Sequence, residues 1–286
     1  MPLTAPVRLV DRRDDCLRVR AEQVMGTVAS LHLHDPEVPE SAVDAAFEHL
    51  HDIDRRFSVF REDSEIRRLE RGLLAECDAR ADVREVLAVC ERLRESTGGV
   101  FDIRRHRGPR TLDPSGYVKG WAAEAAAGIL LAAGARTFYL GVGGDVVAYG
   151  EPEPGRAWRV GIRHPDRTDA TAAVLAIRDL AVATSGLYER GDHIRDARTG
   201  TTPDDLLSVT IVATSLAQAD VCATIAFAMG RDGIGWTARQ PGCEVFAITS
   251  DRRVTWTPGL RDLLVEPAQP NPGVAPGDFA ANQEGP

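Results

Sequence analysis

Residues 17–34, LRVRAEQVMGTVASLHLH, alternate apolar and polar side chains. That is the period of a half-buried strand, and Gly26 marks the bend of a hairpin. The period then changes. Residues 41–57 read as an amphipathic helix opened by Ser41, with Asp44 in its first turn. A short helix is predicted from Ser64, and another over 82–97, stopped by Gly98 and Gly99. Residues 101–118 are basic, irregular and punctuated by Gly and Pro. An Ala-rich helix is predicted over 118–133, ending at Gly134.

Beyond it the strand period returns. RTFYLGVGGDVVAYG (136–150) reads as strand, glycine turn, strand, followed by RAWRVGIRH, TAAVLAIRD, LAVATS and LLSVTIVAT. SLAQADVCATIAFAMG (215–230) is a mostly apolar helix whose Ser215 and Gln218 have capping-box spacing. A helix around Trp236 and the strands CEVFAITS and RRVTWT follow. Helices first and sheet later predict an α+β fold, with N-terminal helices packed on a largely antiparallel sheet, rather than a doubly wound one. Residues 266–286 are rich in Pro and Gly and read as a disordered tail. With 1–16 as an extension, a single domain is expected over 17–265.

Composition narrows the function. The 286 residues are 43% hydrophobic, enough for a substantial core. The net charge is -9 with no basic stripe, which argues against nucleic acid. No apolar run approaches the roughly 20 residues of a membrane span. No apolar signal-peptide core precedes residue 24, so a cytoplasmic protein is expected. The five cysteines are scattered without a C-x-x-C, as reduced thiols are. Cys222 reads as a small core residue.

Among 34 Lys plus Arg, Lys119 is the only lysine. Lysine is a compact point charge that suits a phosphate where arginine would need more room. It lies in LDPSGYVKGWAAE, at the expected start of the Ala-rich helix, where free N–H groups favour an anion. An Asp-Pro turn followed by a solvated lysine is the plainer alternative. Asp220 and Thr224 stand at i and i+4 on one face of the apolar helix. Helix-dipole complementation and a hydroxyl bonded back to its own helix explain each singly. Together their oxygens suit Mg²⁺. GVGGDVVAYG is not a dinucleotide fingerprint, since a strand follows the glycines where a helix is required. Thr184, Ser185, His193 and Asp196 lack the nucleophile elbow of a serine hydrolase.

These segments occur together, in order, in one family. MGT (25–27), FSVFREDSEI (57–66), GGVFD (98–102), LDPSGYVKGWAAE (112–124), GGD (143–145), ATSGLYER (183–190), HIRDARTG (193–200) and SVTIVATSLAQADVCAT (208–224) resemble the FAD:protein FMN transferases, the ApbE flavin transferases. The resemblance implies Mg²⁺-dependent transfer of the FMN half of FAD to a Thr or Ser hydroxyl of an acceptor flavoprotein, releasing AMP. It implies that Gly116, Asp220 and Thr224 hold Mg²⁺. Met25, Phe60, Val100, Phe101, Asp102, Asp113 and Lys119 would line the FAD site, and His193 would move the proton.

The chain departs from the family pattern in places. The stretch between Asp102 and Asp113 is short, Gly141 stands where an Asn is usual, and Arg195 and Ala197 replace an apolar residue and a proline. The same residues would serve an FAD pyrophosphatase, in which water replaces the hydroxyl, or an FAD-binding carrier. The fate of FAD separates the three.

Overall fold

The computed structural model describes residues 17–104, 112–167, 170–186 and 194–265. His193, the N-terminal extension, the C-terminal tail and Cys16 lie outside the described residues. The opening alternation forms the hairpin β1 (Arg18–Val24) and β2 (Thr27–Leu33), in which Val24 pairs with Thr27. The two-residue turn carries positive φ at both Met25 (55°) and Gly26 (70°). Primed turns need that geometry, and it strains a non-glycine residue by about 1 kcal/mol.

Helices α1 (Glu40–Phe57), α2 (Glu65–Glu70), α3 (Ala81–Ser96) and α4 (Ser115–Ala132) follow. Ser64 caps α2 by accepting the Arg67 N–H. Ser41 does not open α1: the helix starts at Glu40, with extended Pro39 in the cap position and no side-chain cap. Proline is pre-set for that entry by its fixed φ. The Ala-rich helix also starts earlier than its composition predicts. Pro114 O accepts from the N–H groups of both Tyr117 and Val118. Asp113 Oδ1 accepts the Ser115 N–H at 3.1 Å. Lys119 and Gly120 therefore sit in the second turn, not at the free N–H groups.

Strands β1, β2, β3 (Phe138–Val142), β4 (Asp145–Tyr149), β7 (Leu180–Gly186), β8 (Leu206–Ala213), β9 (Glu244–Thr249) and β10 (Val254–Trp256) form one antiparallel sheet in that order. A smaller sheet, ordered β11 (Leu264–Val265), β6 (Thr171–Ile177), β5 (Trp158–Arg163), covers its far side. Alternation along β7 divides the layers. Ala181 and Ala183 join the core under the helices, while Val182 joins Trp158, Leu175 and Ile177 of the second core.

Between α4 and the large sheet lies α5 (Leu216–Met229), followed by α6 (Arg231–Thr237). Enclosed on several sides, α5 is apolar nearly all round, as such a helix must be. The Ser215 hydroxyl accepts the Gln218 N–H at 3.2 Å, one arm of the capping box. Glu124 of α4 adds to this cap: its Oε2 accepts from the Ser215 hydroxyl (2.6 Å) and the Ala217 N–H (2.8 Å). The Gln218 side chain instead donates to Pro241 O.

Candidate functional site

Helices α4 and α5 cross with small residues facing polar ones. A Cβ at Gly120 would stand 2.6 Å from both Asp220 Cβ and Leu216 O. A Cβ at Gly116 would stand 3.3 Å from the Phe101 ring and 3.3 Å from the Thr224 methyl. Glycine at these two positions lets the helices approach so closely. The Gly120 N–H then reaches Asp220 Oδ2 at 2.8 Å.

Lys119, on the turn between those glycines, meets two carboxylates. Its Nζ lies 2.6 Å from Asp145 Oδ2 and 3.3 Å from Asp220 Oδ1. Asp145 opens β4 directly after the Gly143–Gly144 turn, and its Oδ1 accepts the Thr184 N–H from β7 at 3.0 Å. Both carboxylates are buried. The positive group beside Asp220 in this structure is therefore Lys119, and the lysine stands between carboxylates rather than at a helix N-terminus.

Burial pushes the Asp220 carboxyl up from its ordinary 3.8 to about 7; Lys119 and the Gly120 N–H oppose this shift, and Asp145 adds to it. The sign of the pH dependence follows. Between about pH 4 and 7 the folded chain holds a proton on Asp220 that the unfolded chain has released. Stability from this group is complete below that window and is lost as pH rises through it. In chelator, wild type should lose more of its thermal midpoint between about pH 5 and 8 than Asp220→Asn does. Parallel melting curves for the two proteins across that range would contradict it.

A cavity of about 640 Å³ opens over this cluster. Its lining brings together Met25, Phe60, Val100, Phe101, Asp102, Asp113, Gly116, Lys119, Asp220 and Thr224. Those are ten of the eleven positions expected from the sequence; His193 is the eleventh. Phe60 stands at the edge, 77% exposed, whereas Phe101 is buried. Arg195 and Ala197, two of the departures, also line the cavity. The Ala197 N–H donates to Val100 O at 3.0 Å, a bond that proline could not make. Sequence reasoning gave Asp145 no role, although a carboxylate leading a β-branched strand needed a buried partner and the chain offers one lysine.

The donors fit a hard cation. Asp220 supplies a carboxylate, Thr224 a hydroxyl, and Gly116 keeps its backbone open where a side chain would fill the gap. Among the described residues, no three or more His, Cys, Asp or Glu side chains gather to hold a metal, so phosphate and water oxygens must complete such a site. None of the described helices is long and apolar enough to cross a membrane. Scattered thiols were expected, but Cys222 on α5 lies within hydrogen-bonding reach of Cys243, which pushes its thiol up.

The profile of the ApbE family matches residues 25–107 and 104–247. A Rhodobacter capsulatus protein named FAD:protein FMN transferase is 32% identical over 193 residues, 64% of this chain and 37% of that protein. A Treponema pallidum protein of the same name is 31% identical over 210 residues, 67% of this chain and 57% of that protein. The match thus spans about a third to three-fifths of these relatives' length. Two solved structures share the fold. Flavin transferase ApbE from Vibrio cholerae superposes with a TM-score of 0.76 at 21% identity, covering 87% of this chain and 99% of that one. The ApbE protein from Thermotoga maritima gives 0.78 at 21% identity, covering 87% and 100%.

Proposed function

This chain belongs to the ApbE family, and on that premise we propose that it transfers the FMN moiety of FAD to a hydroxyl of an acceptor flavoprotein. The observation that carries this reading is the meeting of Lys119, Asp220 and Thr224 on one cavity wall, from segments a hundred residues apart in the chain. In this reading FAD lies in the cavity with its pyrophosphate toward α4. A Thr or Ser hydroxyl of the acceptor attacks the FMN-side phosphorus. The bond between the two phosphates breaks, AMP leaves, and the hydroxyl proton goes to His193, whose ordinary pKa near 6.5 suits a base.

Asp220, Thr224 and the Gly116 carbonyl would hold Mg²⁺. When bound, that ion neutralises pyrophosphate charge and stabilises AMP as a leaving anion. Lys119 adds a second positive charge, fixed in advance by its carboxylate partners, where negative charge builds in the transition state. Met25, Val100, Asp102 and Asp113 shape the wall around the dinucleotide, and exposed Phe60 offers a ring face to a flavin or adenine.

The test is the fate of FAD with Mg²⁺, with and without an acceptor protein. AMP release that requires both is the expected result. Free FMN plus AMP without acceptor would make the chain a pyrophosphatase, and intact FAD would make it a carrier. Within the same assay, Lys119→Arg should keep FAD binding within about threefold. Its turnover should slow by about a hundredfold, because a guanidinium cannot occupy an ammonium's place between two buried carboxylates. Unchanged turnover would remove Lys119 from the chemistry.

A further inference from the structure

We propose that Asp145 is a positioning residue: it keeps Lys119 in place, so that the ammonium does not close over Asp220 and exclude a divalent cation. The inference rests on the reading of Asp220 as a cation ligand given above.

Three observations carry it. First, the lysine is shared unequally. Its Nζ is 2.6 Å from Asp145 Oδ2 but 3.3 Å from Asp220 Oδ1. Second, the two oxygens of Asp220 are not equivalent. Oδ2 is engaged by the Gly120 N–H, so Oδ1, the oxygen facing the ammonium, is the one left for a cation. Lysine and cation would therefore compete for the same atom. Third, Asp145 is fixed from behind. It is 1% exposed, and its Oδ1 accepts the Thr184 N–H of the neighbouring strand. No hydrogen-bond donor other than this ammonium stands at its Oδ2 among the described residues.

The consequence is electrostatic. With both carboxylates ionised, one ammonium leaves these three groups one negative charge in excess. A cation can then take Asp220 Oδ1 while the ammonium stays at Asp145. Without the Asp145 charge, Lys119 and Asp220 become a closed pair. An incoming cation must then displace the ammonium from the oxygen it needs, against the attraction between that ammonium and Asp220.

The experiment measures cation affinity, not turnover. Mn²⁺ binding is followed by electron paramagnetic resonance and Mg²⁺ binding by calorimetry, in wild type, Asp145→Asn, Lys119→Met and the double variant. Asp145→Asn should bind the cation about tenfold more weakly or worse. Lys119→Met, which removes the competitor and leaves both carboxylates, should bind at least as tightly as wild type. The double variant should recover to within about threefold of wild type. That recovery is the signature of action through the lysine; a purely structural role would not produce it. The inference is overturned if Asp145→Asn binds as wild type does, or if the double variant stays as weak as Asp145→Asn. Should Asp145→Asn fail to fold, weaker binding in Lys119→Met overturns it alone. A wild-type protein that binds neither cation at millimolar concentration, alone or with FAD present, overturns the cation site itself, a separate outcome from failure of the lysine's restraint.

Discussion

Asp220→Asn is expected to abolish flavin transfer, by about a thousandfold or more. The side chains are nearly isosteric, and the amide can still accept the Gly120 N–H through its oxygen. Folding should therefore survive. Above about pH 7 the metal-free variant should melt at least as high as wild type, because it removes a carboxylate that burial disfavours. What is lost is the formal charge facing the cavity, and a divalent ion held by one carboxylate, a hydroxyl and a carbonyl has little else to hold it. Calorimetry with Mg²⁺ should show no saturable binding in the variant. Full transfer activity in Asp220→Asn freed of metal would contradict the assignment.

Gly120→Ala is expected to give the largest structural effect of any single methyl group in the site. Helix propensity alone would favour alanine by about 1 kcal/mol. The added carbon would stand 2.6 Å from Asp220 Cβ and from Leu216 O, distances that packed atoms do not adopt. Neither neighbour is the loose end of a flexible side chain, so α4 and α5 must move apart. Overpacking of this kind costs about 1–3 kcal/mol, and here it also lengthens the Gly120 N–H to Asp220 bond. Clash outweighs propensity. The thermal midpoint should fall by several degrees, about 2–4 °C for each net kcal/mol in a chain of this size. Cation affinity should fall with it. A more stable Gly120→Ala protein would mean that the helices are not held at this spacing.

Much of this was legible before any coordinates. Alternation placed β1 and β2, because one face of an edge hairpin is wet. Asp220 and Thr224 stood out because α5 is otherwise apolar, and Lys119 because no other lysine exists. The start of α4 was not legible: Gly116 and the Asp-Pro turn look like loop, yet Pro114 O already accepts helical bonds. Nor was the second sheet. The strand pattern of 156–179 gave a period but not a neighbour, and only the packing of Trp158 and Ile177 against Val182 shows that these strands cover the large sheet. The role of Asp145 was hidden for the same reason. A charge pair between residues 119 and 145 is a fact of distance, set by how β4 lies beside α4.

The central claim is that this cavity moves FMN from FAD to a protein hydroxyl. Its most direct test is the intact mass of a Thr-bearing acceptor flavoprotein after incubation with this chain, FAD and Mg²⁺. The account predicts a gain of one FMN less one water on the acceptor, matched by AMP in solution, and no gain with Asp220→Asn. An acceptor of unchanged mass while FAD is consumed to free FMN and AMP would contradict it.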